Sequence, residues 1–182
     1  MIKQEQRTLL KGIRKSMTDN EIAEKSRRAA ENFCNTEEFH SAETVFIYIS
    51  LPKEVATADI IAECFRCGKR VVVPVTEKGE ISLCLLENME NLTIGEFGIS
   101  EPSEKRFWQG RVDIAVIPGL GFDRDGGRMG FGKGCYDKFL AENECIKVGL
   151  CFDAMMQEKI VTEAHDVPMD IVITETEIWR KK

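Results

Sequence analysis

Thr44-Val-Phe-Ile-Tyr-Ile-Ser50, the helix-like run from Thr57 to Cys67, and Val71-Val-Val-Pro74 decide the fold of this chain. The first run is β-branched and aromatic and is bounded by Pro52, which reads as a buried strand. Thr57 is placed to cap a helix, and Gly68 follows Cys67 as its stop. A second apolar strand then begins almost at once. Strand, helix and strand in so short a span form the β-α-β unit of a parallel sheet, with a right-handed crossover.

Upstream of this unit the pattern is helical. Leu9, Ile13 and Met17 recur every four residues, while Lys3, Arg7 and either Lys11 or Arg14 follow the opposite stripe, so Lys3–Met17 reads as an amphipathic helix with a basic face. Thr18-Asp-Asn-Glu21 matches a capping box, and Ile22, Ser26, Ala29 and Phe33 supply the inward stripe of a second helix. Two helices are thus expected before any strand. Downstream, Ile81–Leu86 reads as a strand reached through a Lys78-Gly79 turn. Residues 87–110 show neither period, and an unpatterned stretch of that length is usually functional or disordered. Val112–Ile117 resumes the sheet, Tyr136–Asn143 reads as a helix, and Lys147–Phe152 and Asp170–Thr174 as two last strands. The expectation is a three-layer α/β/α fold, Rossmann-like, with a mostly parallel central sheet preceded by two N-terminal helices.

The chain of 182 residues suits one domain spanning 1–182. No run of about twenty apolar residues is present to span a bilayer, and Met1-Ile-Lys-Gln-Glu-Gln-Arg7 is too charged for a secretory core, so a cytoplasmic protein is expected. Seven scattered cysteines, an odd number, read as free thiols in a reducing compartment. Cys64-Phe-Arg-Cys67 lies in a helical run with no second pair, which favours a structural role over zinc. A net charge of −6 argues against nucleic acid and anionic membrane as partners. An anionic ligand must then meet a local cluster, for which Lys3, Arg7, Arg124, Arg128 and Lys133 are the candidates.

Between Gly119 and Gly134 lie seven of the fourteen glycines, threaded with Arg124, Arg128 and Lys133. Glycines let successive N–H groups approach a phosphate, and a following helix adds its positive end. The frame Gly127-Arg-Met-Gly-Phe-Gly132-Lys133 meets G-x-x-x-x-G-K, but Gly134 stands where a P-loop needs Ser or Thr for magnesium. Carboxylates are then the alternative ligands, and Asp137 and Asp166 are candidates, although each also reads as an ordinary cap or turn aspartate.

Pro118-Gly-Leu-Gly-Phe-Asp123 and Gly127-Arg-Met-Gly-Phe-Gly-Lys-Gly-Cys-Tyr-Asp137 closely resemble the signature of the 5-formyltetrahydrofolate cyclo-ligases, also called 5,10-methenyltetrahydrofolate synthetases. Lys3-Gln-Glu-Gln-Arg7, Glu54-Val-Ala-Thr57, Gly98-Ile-Ser-Glu-Pro102, His165-Asp166 and Asp170-Ile-Val-Ile-Thr174 are similar to further family segments, in family order. One departure is Cys135, where the family usually has a first tyrosine.

The resemblance implies ATP as co-substrate, Mg2+, 5-formyltetrahydrofolate as small-molecule substrate, and a monomer. By the same resemblance, Lys3, Gln4, Glu5, Gln6 and Arg7 would contact the nucleotide together with Arg128, Met129, Gly130, Phe131, Gly132, Lys133, Gly134, Cys135 and Tyr136. Ile49, Glu54 and Tyr136 would contact the folate, Asp137 and Asp166 would hold magnesium, and Lys133, Arg128 and Tyr136 would act in catalysis. His40 and His165 have no nucleophile to serve. The rival readings are a nucleotide- or folate-binding module of the same fold without catalysis, kept open by Cys135, and a sugar-phosphate isomerase or acyl-transfer relative.

Overall fold

The computed structural model describes residues 2–181. Three helices, one more than expected, precede the first strand: α1 (Lys3–Ser16), α2 (Asp19–Cys34) and α3 (Glu37–Ser41). The short α3 exists because Thr36 caps it, its hydroxyl accepting from Phe39 N at 3.2 Å, while Phe39 packs edge-on against Phe33. Thr18 caps α2 with the reciprocal Glu21 contact that the capping box predicts.

The inward stripe of α1 is Gln6, Leu10, Ile13 and Met17, not one that starts at Leu9, which is 46% exposed. The disguise is Gln6, a polar residue on the buried face. Its amide donates to Lys159 O at 2.7 Å and accepts from Val161 N at 2.9 Å, so its burial leaves no unmet hydrogen bond. Leu10 is fully buried, and its methyl groups lie 2.8 and 2.9 Å from where a Cβ on Gly121 would stand, so the glycine lets the helix come close. Of the opposite stripe, Arg14 turns inward and Lys11 to solvent.

The strands follow as β1 (Thr44–Ile47), β2 (Arg70–Glu77), β3 (Glu80–Leu85), β4 (Leu92–Ile94), β5 (Ser100–Pro102), β6 (Ile114–Ile117), β7 (Gly121–Phe122), β8 (Arg128–Met129), β9 (Ile146–Leu150), β10 (Ile171–Ile173) and β11 (Ile178–Arg180). Helix α4 (Ala58–Arg66) joins β1 to β2, and α5 (Cys135–Glu142) lies between β8 and β9. Seven strands form one sheet in the order β11-β10-β9-β6-β1-β2-β3, parallel from β10 to β2 with one antiparallel strand at each edge. The central strands β1 and β6 are buried along their length, as a sheet covered on both faces requires.

Several boundaries differ from the sequence reading. β2 continues past Pro74 to Glu77, because its pairing with β1 ends at Val72 and β3 takes over the other edge. The β2–β3 hairpin turns at Lys78 and Gly79, both at positive φ, the geometry of a two-residue primed turn. Residues 87–110 are not an unstructured excursion: β4 and β5 form a separate two-stranded ribbon, too short to show a period. Thr57 precedes α4 without capping it, its hydroxyl donating instead to Tyr48 O at 2.8 Å, which ties the helix start to the end of β1.

Helix α1 depends on Leu10. Truncation by Leu10→Ala is expected to cost about 2–5 kcal/mol, read as a lower urea midpoint at unchanged m-value.

Candidate functional site

Strand order reverses between β1 and β6: the chain leaves β1 toward β2 and leaves β6 toward β9. With right-handed crossovers, α4 and α5 then cover opposite faces, and a crevice opens at the C-terminal ends of β1 and β6. The principal cavity of the molecule is there, about 690 Å³, within the range of roughly 300–1,000 Å³ usual for small-ligand sites. Tyr48, Ile49, Leu51 and Glu54 enter it from the end of β1, and Pro118 from the end of β6. Lys3, Gln4 and Arg7 of α1 meet them, as do Arg128 and the run from Gly130 to Asp137. Glu163, His165 and Asp166 complete one side, and Thr76, Ile81, Phe97 and Ile99 come from the β2–β3 hairpin and the β4–β5 ribbon.

The glycine-rich segment divides its labour. Its first half is architecture: β7 and β8 form a hairpin whose turn is organised by buried Asp123. That carboxylate accepts from Asp125 N at 2.9 Å, Gly127 N at 2.8 Å and Ile160 N at 2.8 Å. Gly126 has φ +86° and sits against the backbone of Met169, so no side chain fits. Only Gly130, Gly132 and Gly134 border the cavity. Gly134 is left-handed and no side chain caps α5, so the first N–H groups of that helix are open to a ligand.

The two basic stretches converge. Arg7 Nε donates to Gly130 O at 3.2 Å, joining α1 directly to the glycine loop. Lys133 Nζ lies 4.8 Å from the centroid of the Phe97 ring, and among the described residues no carboxylate pairs with Lys133 or Arg7. Arg124 does not join this cluster: it stacks on Trp179 at 5.4 Å, since the β7–β8 turn carries it away from the cavity.

The remaining cations are held by carboxylates. Lys3 Nζ contacts Asp166 Oδ2 at 2.6 Å and Glu163 Oε2 at 2.9 Å. Burial alone would lower the ammonium pKa and raise that of Asp166, but these contacts outweigh it, holding Lys3 above and Asp166 below their ordinary values. Arg128, whose side chain is 5% exposed, pairs with Asp137 Oδ2 at 2.7 Å and donates to Pro118 O, while its Nε has no partner. Asp137 Oδ1 accepts from Val167 N at 3.1 Å, so this aspartate and the 163–166 segment are neighbours. Glu163, His165 and Asp166 each place a ligand atom within 4.8 Å of the others. Half-buried Tyr136 is pushed far up by desolvation and by Glu54, against the opposing pull of Arg128, so its phenol stays protonated.

Of the residues that the resemblance implicates, three are turned elsewhere. Gln6 clamps the 159–161 backbone, Met129 is fully buried in β8, and Glu5 accepts from Ile2 N in the first turn of α1. Those positions follow from carrying over contiguous segments, whereas a helix or hairpin turns alternate residues away. Glu163, Phe97, Ile99, Thr76 and Ile81 were not anticipated at the cavity. Glu163-Ala-His165-Asp166 held a readable signal in its spacing of polar ligating groups; the others approach from distant elements.

Residues 1–175 match the model of the 5-formyltetrahydrofolate cyclo-ligase family. A 5-formyltetrahydrofolate cyclo-ligase of Escherichia coli K12 is 28% identical over 180 residues, covering 94% of this chain and 99% of its own. A probable 5-formyltetrahydrofolate cyclo-ligase of Caenorhabditis elegans is 28% identical over 193 residues, with 97% and 94% covered. Among solved structures, the 5,10-methenyltetrahydrofolate synthetase of Aquifex aeolicus superposes with a TM-score of 0.88 at 31% identity, over 99% of this chain and 93% of that one.

The cavity also contains Cys135, half-exposed at the start of α5. Burial pushes Cys34 and Cys64 up to about 12, and Cys151 also well above its ordinary value. Brief iodoacetamide treatment at neutral pH, followed by peptide mass spectrometry, is expected to modify Cys67 and Cys135 and to spare Cys34, Cys64 and Cys151 until the protein is unfolded.

Proposed function

The chain belongs to the 5-formyltetrahydrofolate cyclo-ligase family, and from this premise we propose that it uses ATP to close 5-formyltetrahydrofolate to 5,10-methenyltetrahydrofolate, with release of ADP and phosphate. The observation that carries the reading is the contact of Arg7 with Gly130, which gathers the cations of α1 and the glycine loop around one cavity. Ile49, Glu54 and Tyr136 line that same cavity, on the segments leaving β1 and entering α5.

The chemistry asks for such a site. A formamide oxygen leaves poorly, so N10 cannot displace it unaided. Transfer of the γ-phosphoryl group to that oxygen releases ADP and makes the oxygen part of a good leaving group. N10 then attacks the formyl carbon, its proton is lost, and phosphate departs. Lys3, Arg7 and Lys133, with the open N–H groups of α5, neutralise charge on the polyphosphate and on the moving phosphoryl group. Arg128 contributes from the cavity floor, its free Nε supporting a ligand contact in addition to its pair with Asp137. Glu54 accepts hydrogen bonds from the pterin, and Tyr136, a neutral phenol, orients the formyl end. Confinement places N10 against the carbon, and no protein nucleophile is needed.

Asp166 and Asp137 offer the hard oxygen ligands that suit a magnesium ion, which takes one or two carboxylates beside phosphate and water. Each already shares its charge with a cation, so metal binding redistributes those pairs. Bound magnesium supplies further neutralisation of phosphate charge. The protein acts as a cytoplasmic monomer of one domain, 1–182, in this reading. Among the described residues no helix is long and apolar enough to cross a membrane.

The test is the absorbance of methenyltetrahydrofolate formed only when ATP, magnesium and 5-formyltetrahydrofolate are all supplied, with equimolar ADP. ATP binding without that turnover would support the non-catalytic module instead. Lys133→Ala is expected to lower kcat/KM on the order of 10²-fold. Because Lys133 is an exposed loop residue, stability should change by no more than about 0.5 kcal/mol. Unchanged activity removes Lys133 from the phosphate site.

A further inference from the structure

Behind the cavity wall lies a guanidinium that nothing above employs. Arg14 is on the inward side of α1, its side chain 13% exposed, and it does not border the cavity. Its Nη2 stands 3.7 Å from Glu54 Oε1 and donates to Pro52 O at 3.2 Å, while its Cζ lies 5.2 Å from the centroid of the Phe131 ring. Glu54 and Phe131 both border the cavity, one on the turn after β1 and the other between Gly130 and Gly132. One half-buried cation therefore touches both halves of the site.

We propose that Arg14 is a positioning residue that holds Glu54 as a carboxylate aimed at the folate and, through the same guanidinium, seats Phe131 and the glycine loop. This rests on the reading of Glu54 as a folate contact. Glu54 is 8% exposed, and its Oε2 already accepts from Leu51 N at 2.8 Å, closing its own turn. Oε1 faces Arg14 at a distance too long for a tight hydrogen bond, which leaves it able to accept from a ligand.

Among the described residues, Arg14 is the cation that faces Glu54. Tyr48 from β1 and Tyr136 from α5 face it as neutral phenols, both pushed up by burial. Lys53, the adjacent residue, turns away to Met17 O and Asp19. Burial pushes the Glu54 carboxyl up, opposed by the Leu51 N–H and by Arg14, and the net value stays above the ordinary one. Removing Arg14 moves it higher still, so Glu54 takes up its proton at a higher pH and ceases to accept from the pterin there. A lysine in place of Arg14 keeps the charge but lacks the flat face that stacks on Phe131.

The experiment compares the full-length wild type with R14M, R14K, E54Q and R14M/E54Q. It measures kcat and the KM for each substrate as a function of pH, with a melting temperature for each variant. In the wild type, KM for 5-formyltetrahydrofolate should rise as pH falls through the Glu54 pKa. R14M is expected to raise that KM on the order of tenfold, the equivalent of about 1.4 kcal/mol, and to shift the acid rise to higher pH. E54Q should raise the KM and abolish the acid rise, and adding R14M to it should change the folate KM little further. R14M should also raise the KM for ATP through the loosened loop, and R14K should restore the wild-type acid rise while leaving that KM raised. If E54Q raises the folate KM but R14M leaves both it and the acid rise unchanged, the proposal fails and the Glu54 reading stands. If E54Q leaves the folate KM unchanged, that reading fails and takes the proposal with it. Should R14M not fold, R14K decides: an unaltered KM for ATP overturns the seating of Phe131.

Discussion

The reversal of strand order between β1 and β6 is the constraint on which the site depends. A parallel strand pair can be connected only by a crossover, and the crossover has one hand. Where consecutive units depart in opposite directions, their loops diverge and cannot fill the space between them. Here that space is bounded by Ile49 to Glu54 on one side and by Pro118 with the glycine segment on the other. It is roofed by α1, which is anchored by Leu10 against Gly121 and by Gln6 against the 159–161 backbone. Those two anchors carry Lys3 and Arg7 to the crevice. A helix at the start of the chain thus completes a site made by strands far along it.

Much of this was legible in the sequence, and the failures have physical causes. The buried strands could be read because β-branched runs bounded by turn residues have few other stable fates. Thr18-Asp-Asn-Glu21 and Lys78-Gly79 declared themselves because caps and primed turns restrict residue type tightly. Of the stripe on α1, Ile13 and Met17 are legible and only Leu9 is misread for Leu10, because Gln6 is buried through hydrogen bonds rather than through apolarity. The β4–β5 ribbon was missed because three-residue strands are too short to show alternation. Composition also overstated the phosphate cradle. Seven glycines between 119 and 134 read as one anion loop, yet four of them serve the β7–β8 hairpin and the close approach of Leu10, Asp123, Phe122 and Met169. Glycine is demanded equally by a nearby backbone and by a ligand, and the sequence does not distinguish the two.

The site's charge arrangement resolves a difficulty of its own. The chain is acidic overall, at −6, yet the proposed ligand is a polyphosphate. A cluster of unpaired cations would repel itself in the ligand-free protein, most strongly where burial removes solvent screening. The arrangement avoids this by pairing two of its cations. Arg128, the most enclosed, is paired with Asp137, and Lys3 with Asp166 and Glu163. Arg7, half-buried like Lys3, and the exposed Lys133 stay free of carboxylates, Lys133 resting on the Phe97 ring. The enclosed cations are thereby oriented before any ligand arrives. The carboxylates that hold them are hard oxygen donors, so the magnesium ion of the proposed function would compete with Lys3 and Arg128 for Asp166 and Asp137. Opposite charges in one cavity then cease to be a contradiction: Asp137, Asp166 and Glu163 hold Arg128 and Lys3 in place, and Arg7 and Lys133 stay free to meet an anion.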